Sequence, residues 1–307
     1  MPPPLGRAGS HVLSQTAPAK LNLYVHVLGR RADGRRDLDS LIVFTEIGDR
    51  LTMRPAASLS LEVRGAFAGA LGVGEDNLVM RAARALQNTA GGSPGAAIVL
   101  EKEIPVAAGL GGGSADAAAT LRLLARLWEV DDAPAHLAEL AAQLGSDVAA
   151  CLHGQPCYVV GAGDSVEPAP ELAHFHTVLV NPGVALATGD VFAAFDEANA
   201  TASEVARLVA PVRGHEELAE QLRARSNDLE AVGTVLVPEI ALALETLAGL
   251  SGCLLARMSG SGATCFGLFA RAEDAAAGAA VLRQTFEDWW VRETAFVCAG
   301  EPSVTAP

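Results

Sequence analysis

Apolar and polar positions change period several times along the chain, and each change marks an expected element. Residues 21–28 (LNLYVHVL) and 59–64 (LSLEVR) alternate in places, as half-buried strands do. Residues 96–101 (AAIVLE) form a short apolar, β-branched run, the pattern of a buried strand. Asp76 is placed to cap a helix that begins at Asn77 and runs through VMRAARAL. In the segment KEIPVAAGLGGGSADAAATLRLLARLW (102–128) a glycine-rich turn leads into a helix. Ser114 is expected as its N-cap, with Leu121, Leu124, Leu127 and Trp128 on its buried side. HLAELAAQLG (136–145) predicts another helix, ended by Gly145, with Ser146 and Asp147 opening the next element.

CYVVG (157–161) and TVLVNPG (177–183) read as strands, the second stopped by Pro182-Gly183. Beyond it, residues 189–250 are rich in alanine and leucine at helical spacing. A glycine turn then precedes an apolar strand in CLLARMSGSGATCFGLF (253–269), followed by a helix near 273–286 and a last strand at 294–298. Strands and helices interleave, with a shift near 182. The expected class is α+β, with two domains (17–182 and 183–307), a cleft between them, and a loose N-terminal tail over residues 1–16.

Composition narrows the function. Half of the 307 residues are apolar and 19% are charged, as in a folded globular protein. No stretch approaches the ~18 apolar residues of a membrane span, and the N-terminus lacks the apolar core of a signal peptide. A net charge of −14 argues against nucleic acid or an anionic membrane as partner. Cys151, Cys157, Cys253, Cys265 and Cys298 show no CxxC pair or zinc-ligand spacing, so buried free thiols in a reducing cytoplasm are expected. Of 22 basic residues only two, Lys20 and Lys102, are lysines, and both flank the motifs below. Lysine retained against such a bias points to places where a planar guanidinium would not fit.

Gly109-Leu110-Gly111-Gly112-Gly113-Ser114 places four glycines in five residues before a helix. Backbone N–H groups can converge there without Cβ interference, and the helix start adds unpaired donors and a positive dipole end. The result is an anion cradle, to which Ser114 adds a hydroxyl for a phosphate or a magnesium ion. A Walker A loop would end in Gly-Lys-Ser/Thr, and none follows. A dinucleotide fingerprint would want Gly or Ala at Ser114 and a strand leading in without Pro105. A flexible linker would not launch so regular a helix.

These residues resemble the signatures of the GHMP kinases, the superfamily of galactose, homoserine, mevalonate and related kinases. PVAAGLGGGSADAA (105–118) resembles the second signature, APAKLNLYVHVLGRRADG (17–34) the first and RMSGSGATCFGLF (257–269) the third. LGSDVAACLHG (144–154) resembles the segment that carries the catalytic aspartate. The resemblance spans about residues 17–270. It implies the two-domain GHMP-kinase fold, with ATP and substrate meeting in the cleft. PAKLNL with GRRADG, the triple glycine and LGSDV are most similar to the branch that phosphorylates the 2-hydroxyl of 4-diphosphocytidyl-2-C-methyl-D-erythritol on the non-mevalonate route to isoprenoids. That branch usually has Gly-Tyr-His where this chain reads Gly34-Arg35-Arg36, and its tyrosine and histidine help to hold the cytosine ring. Arg36 can stack on a base or meet the diphosphate, but it cannot accept a hydrogen bond as neutral histidine can.

By the same resemblance, ATP lies over Pro105, Val106, Ala107, Ala108, Gly109, Leu110, Gly111, Gly112, Gly113 and Ser114, with Mg2+ bridging the phosphates near Ser114. Asp147 is the expected general base and Lys20 the cation that keeps it ionised and stabilises the attacking oxygen. Asn77, Leu78 and Lys102 are expected at the adenine. Asn22, Arg36, Phe192, Gly260 and Gly262 are expected at the substrate. His26 and His153 read as structural. A chain with these features is expected to act in the cytoplasm on a small alcohol, as a monomer or weak homodimer. Three other readings stand beside this one. A kinase of the superfamily acting on another alcohol, such as homoserine or mevalonate, is kept open by Arg35 and Arg36. A nicotinamide-dependent oxidoreductase would be exposed by titration with NADH. A non-catalytic ATP-binding homologue would bind ATP without releasing ADP on any alcohol.

Overall fold

The computed structural model describes residues 12–296, apart from 75, 92, 131–133, 199–200, 211 and 213. It begins with a long antiparallel hairpin of β1 (Leu13–Arg30) and β2 (Arg36–Ala56), paired from Leu13↔Met53 to Arg30↔Arg36. The hairpin turns through residues 31–35, where Arg31 N donates to Arg35 O at 2.8 Å and Gly34 takes a φ of +86°. β3 (Ser60–Arg64), α1 (Leu78–Thr89) and β4 (Gly95–Glu101) follow. Next come α2 (Gly112–Leu127), α3 (Pro134–Leu144), α4 (Ser146–His153), β5 (Cys157–Gly161) and β6 (Ser165–Pro168). These strands form one sheet in the order β3-β4-β2-β5-β6, with β1 also paired to β2. β4 pairs with the C-terminal end of β2 and β5 with its N-terminal end, which makes β2 the spine of the sheet.

The rest of the chain is β7 (His176–Asn181), α5 (Thr188–Glu197), α6 (Gly214–Arg223), α7 (Glu230–Leu236), α8 (Glu239–Ala248), β8 (Cys253–Met258), β9 (Cys265–Phe269), α9 (Ala272–Thr285) and β10 (Trp290–Ala295). Its four strands form an antiparallel sheet in the order β10-β7-β9-β8.

Each sheet buries one apolar core against its helices. The first joins Phe44, Leu51, Met53, Ile98 and Leu100 to Leu86 of α1 and Leu121 and Leu124 of α2. The second joins Val178, Val180, Cys265 and Val291 to Phe195, Ile240, Leu247 and Leu282. A third cluster lies between the two halves, where Leu21, Leu23, Leu41 and Val43 of the hairpin meet Leu179, Phe266 and Leu268 of the second sheet. The two halves therefore share apolar surface and are not joined only by a linker.

Several sequence expectations need correction. The strand begins at Leu13, inside the expected tail, because Ser14, Gln15 and Thr16 pair with Thr52, Leu51 and Arg50; the tail's first 11 residues lie outside the described residues. β7 pairs within the second sheet, so the chain changes sheet between Pro168 and His176, ahead of the domain boundary expected at 182, and Pro182-Gly183 ends a strand of that second sheet. Asn77, not Asp76, caps α1, its side chain accepting from Val79 N at 2.9 Å. The last strand runs over 290–295, earlier than expected. β2 had no counterpart in the hydrophobic pattern.

Candidate active site

The glycine loop is shaped by close neighbours on two sides. Gly109 (φ +77°) and Gly111 (φ +62°) hold left-handed conformations that side chains other than glycine's rarely adopt. A Cβ at Gly109 would fall 2.2 Å from the Ser259 carbonyl oxygen, and one at Gly111 would fall 2.7 Å from Lys20 Cγ. A Cβ at Gly112 would lie 2.9 Å from Lys102 Nζ. Ser114 is not the cap of α2. Gly111 occupies that position without a side-chain bond, and Ser114 sits in the first turn. The N–H groups of Gly112, Gly113 and Ser114 consequently have no partners within the helix and crown its N-terminus.

Lys20 and Asn22 lie on β1, which is buried on both faces from Ala19 to Val27. Their polar heads face an internal cavity, which explains an alternation that looked like solvent exposure. Lys20 N donates to the Leu110 carbonyl at 2.9 Å, joining the strand to the glycine loop. Its Nζ donates to Asn22 Oδ1 and lies 3.9 Å from Asp147 Oδ2, a charge contact rather than a hydrogen bond. Asn22 Nδ2 in turn donates to Ser40 Oγ on β2 at 2.8 Å. Asp147 stands in the first turn of α4, where the helix end favours its negative charge, and its side chain is 43% exposed. An acceptor hydroxyl can therefore reach it.

The third glycine segment clamps this arrangement from the second domain. Ser259 Oγ donates to the Gly109 carbonyl at 3.0 Å and accepts from Asn22 N at 3.2 Å, and Thr264 N donates to the Ala108 carbonyl at 3.2 Å. Asn227 Nδ2 donates to the carbonyls of Met258 and Gly260. At Gly260 a Cβ would meet Asn22 Oδ1 at 3.0 Å and Lys20 Nζ at 3.2 Å. Gly262 does not line the cavity. Its constraint is internal, since a Cβ there would strike Met258 Sδ at 2.7 Å.

Beneath the loop, Lys102 is 2% exposed and bridges Asp49 and Asp116, the latter at 2.9 Å. Burial alone would favour its neutral form, but the two carboxylates outweigh burial and hold the ammonium above its ordinary range. Burial also raises the Asp116 carboxyl, against the pull of Lys102. Asp49 Oδ1 accepts from Glu103 N at 2.7 Å and Ile104 N at 2.9 Å, fixing the chain that enters the loop. Lys102 thus supports the floor of the cradle.

These elements enclose a cavity of about 380 Å³. One end is walled by Leu71, Leu78, Pro105 and Val106, the middle by the glycine loop, Lys20 and Asp147, and the far end by Val25, Leu38, Val159, Phe192 and Leu229. Among the predicted residues, Lys20, Asn22, Leu78, Lys102, Pro105, Val106, Ala107, Ala108, Gly109, Gly111, Gly112, Gly113, Ser114, Asp147, Phe192 and Gly260 line it. Leu110 is buried behind the loop and lends only its carbonyl. Asn77 faces an adjacent pocket and holds the α1 terminus. Arg36 does not reach the cavity, because its guanidinium pairs with Asp196 of α5.

Sequence reasoning missed Asp49, Asp116, Ser40, Ser259 and Asn227. Asp116 and Ser259 stand inside the quoted motifs, and that was their only signal. His26 is buried, with Nδ1 against the Glu204 carbonyl and Nε2 accepting from Ser226 N, a structural setting. Cys151, Cys157, Cys253 and Cys265 are free, and burial pushes the Cys157 thiol up to about 12. Cys298 lies outside the described residues.

The model of the GHMP kinases N terminal domain matches residues 77–155, and that of the GHMP kinases C terminal matches residues 191–288. A curated relative from Parvibaculum lavamentivorans, 4-diphosphocytidyl-2-C-methyl-D-erythritol kinase, is 47% identical over 92% of this chain and 98% of its own. The chain belongs to the GHMP kinases.

A crystal structure of a 4-(cytidine 5'-diphospho)-2C-methyl-D-erythritol kinase superposes with a TM-score of 0.76 at 32% identity, covering 92% of this chain and 99% of that one. A homoserine kinase from Cytophaga hutchinsonii shares the fold at a TM-score of 0.71, with 18% identity.

ATP use follows from the family, and the loop residues fit a triphosphate: glycine is required sterically where the loop turns, and the α2 donors crown it. A protein cage for magnesium is not apparent. No group of three or more His, Cys, Asp or Glu able to hold a metal occurs among the described residues. An ion here would lean on phosphate oxygens, with the Ser114 hydroxyl beside them. No described helix is long and apolar enough to cross a membrane.

Proposed function

We propose that this GHMP kinase transfers the γ-phosphoryl group of ATP to the 2-hydroxyl of 4-diphosphocytidyl-2-C-methyl-D-erythritol, in the cytoplasm, as a step of non-mevalonate isoprenoid synthesis. The observation that carries this reading is the Lys20–Asp147 pair, 3.9 Å apart and facing the glycine loop across one cavity. The identity of about 47% to a relative of that name supports this acceptor over homoserine or mevalonate.

Phosphoryl transfer asks a protein mainly to position groups and stabilise charge. Asp147, partly exposed at the cavity wall, takes the proton of the acceptor hydroxyl. The acceptor oxygen then bonds to the γ-phosphorus as the bond to the β,γ-bridging oxygen breaks, and ADP leaves. Lys20, held by Asn22 and by its backbone bond to Leu110, presents its ammonium to the developing charge. The backbone donors of Gly112, Gly113 and Ser114 hold the phosphates. Magnesium, when bound with ATP, shields phosphate charge. Leu71, Leu78, Pro105 and Val106 offer the adenine an apolar slot, and Phe192 offers a face to the cytosine.

The test is ADP release by the purified protein with ATP and magnesium, offering the cytidylyl compound beside homoserine and mevalonate. Turnover of the cytidylyl compound alone is expected. Turnover of another alcohol in its place would overturn the assignment of the acceptor.

A further inference from the structure

Arg36 opens β2 at the base of the hairpin turn, in the first domain, yet its partner Asp196 lies on α5 in the second. The two side chains are 17% and 34% exposed, so the pair is shielded more than a surface ion pair. On α5, Thr188, Phe192 and Asp196 recur every four residues and form one stripe of the helix. The neighbouring stripe, Val191 and Phe195, is anchored in the second core.

The stripe is tied down at both ends. Thr188 Oγ1 and Ser261 Oγ share a hydrogen bond of 2.9 Å at the third glycine segment, and the Arg36 guanidinium is ion-paired with Asp196 one turn beyond Phe192. Thr188 and Phe192 both line the end of the cavity opposite Leu71 and Leu78, and Arg36 and Asp196 do not. The pair therefore acts on this end only through the helix.

We propose that the Arg36–Asp196 pair is a positioning clasp, which holds α5 across the domains so that Phe192 closes the acceptor end of the cavity. Acceptor affinity in this chain then depends on residue 36 without contact between residue 36 and the acceptor. The proposal rests on the far end of the cavity being the acceptor's place, as the functional reading has it.

The experiment measures KM for both substrates and kcat in Asp196→Asn, Arg36→Gln and the exchange Arg36→Asp with Asp196→Arg. Each single variant is expected to raise the acceptor KM about tenfold, as for a partly buried charged pair. The KM for ATP and kcat should stay within about twofold. The exchange should recover most of the loss. Direct contact between Arg36 and the acceptor diphosphate gives a different result. Asp196→Asn would then leave the acceptor KM unchanged or lower it, and the exchange would rescue nothing; either outcome overturns the clasp. Amide exchange over residues 188–197 is read in parallel. It should quicken in the single variants and slow again in the exchange, and no change would equally overturn the clasp. Because this second measurement needs no acceptor, a wild-type protein inactive on the cytidylyl compound would defeat the functional reading alone.

Discussion

Gly111→Ala tests the fit between the glycine loop and Lys20. Two costs are visible in the structure. At φ +62° an alanine is strained by roughly 1–2 kcal/mol. Its Cβ would also sit 2.7 Å from Lys20 Cγ and 2.9 Å from Cε, where ordinary carbon contacts lie at about 3.5–4 Å. Lys20 has little room to yield, being 5% exposed and tied at Nζ to Asn22 and at its backbone to Leu110. Relief of the contact moves the ammonium by about 1 Å, a displacement that costs on the order of 100-fold in rate, or about 2.7 kcal/mol of barrier. Folding stability should fall by the smaller strain term, lowering Tm by roughly 2–6 °C. The assay is steady-state ADP release beside a thermal melt. Gly113→Ala is the stability control: an added Cβ would meet nothing within 4 Å beyond its own stretch of helix backbone, and the position is helical, so its apo Tm should hold or rise. If Gly111→Ala kept kcat within about threefold of wild type, the loop would not be fitted to Lys20 and this reasoning would be wrong.

Other perturbations reach different parts of the molecule. Asp147→Asn should keep ATP affinity, measured by calorimetry, and lower turnover at least ~100-fold; near-normal turnover would remove it as the base. Asp49→Ala leaves Lys102 half-paired and the N–H groups of Glu103 and Ile104, the second of them buried, without their acceptor, so urea denaturation should show a loss of at least about 3 kcal/mol. Asp116→Asn, at a carboxyl that burial already raises, should cost much less, and equal losses would contradict the division of roles within the triad. Glu230 accepts from Met258 N at 2.8 Å, and burial raises its carboxyl above the ordinary value. A raised folded pKa means that the folded state binds the proton more tightly, so this group's contribution to stability falls as pH rises from about 4.5 through the folded value. Glu230→Gln should therefore gain on wild type in Tm between pH 4.5 and 7.5. A constant difference between the two proteins would count against that shift.

The parts of the fold visible in the sequence were those whose neighbours lie close by. Leu121 and Leu124 are buried on α2 as their spacing implied, and the strands at 96–101 and 157–161 needed only apolar, β-branched runs. β2 escaped notice because Asp37, Asp39, Glu46, Asp49 and Arg50 break its alternation. Two of these acids are fully buried and take their partners from other elements, although Asp39 Oδ1 itself has none. Asp39 accepts from the Tyr24 hydroxyl and Ala206 N, and Asp49 from Lys102, Glu103 and Ile104. A polar residue paired inside the protein looks the same in a sequence as one facing water. Arg36 presents the same difficulty: a cation next to a recognised motif pointed to the substrate, while the carboxylate that pairs with it lies 160 residues away on α5.

The scarcity of lysine was the most useful signal of the site, and the structure gives it a steric cause. Lys20 threads its methylene stem beneath Gly111 and delivers a single ammonium to Asn22 and Asp147. Lys102 brings a single ammonium between Asp49 and Asp116, close under Gly112. Both heads are point charges in spaces where the loop backbone already approaches van der Waals limits. The planar, wider guanidinium carries five donors and would have to displace that backbone or leave donors unpaired. Where arginine can serve, as in the exposed pairs of Arg35 with Asp33 and Arg64 with Glu62, the chain uses it. The same packing that requires glycine at 111 and 112 therefore also requires lysine at 20 and 102.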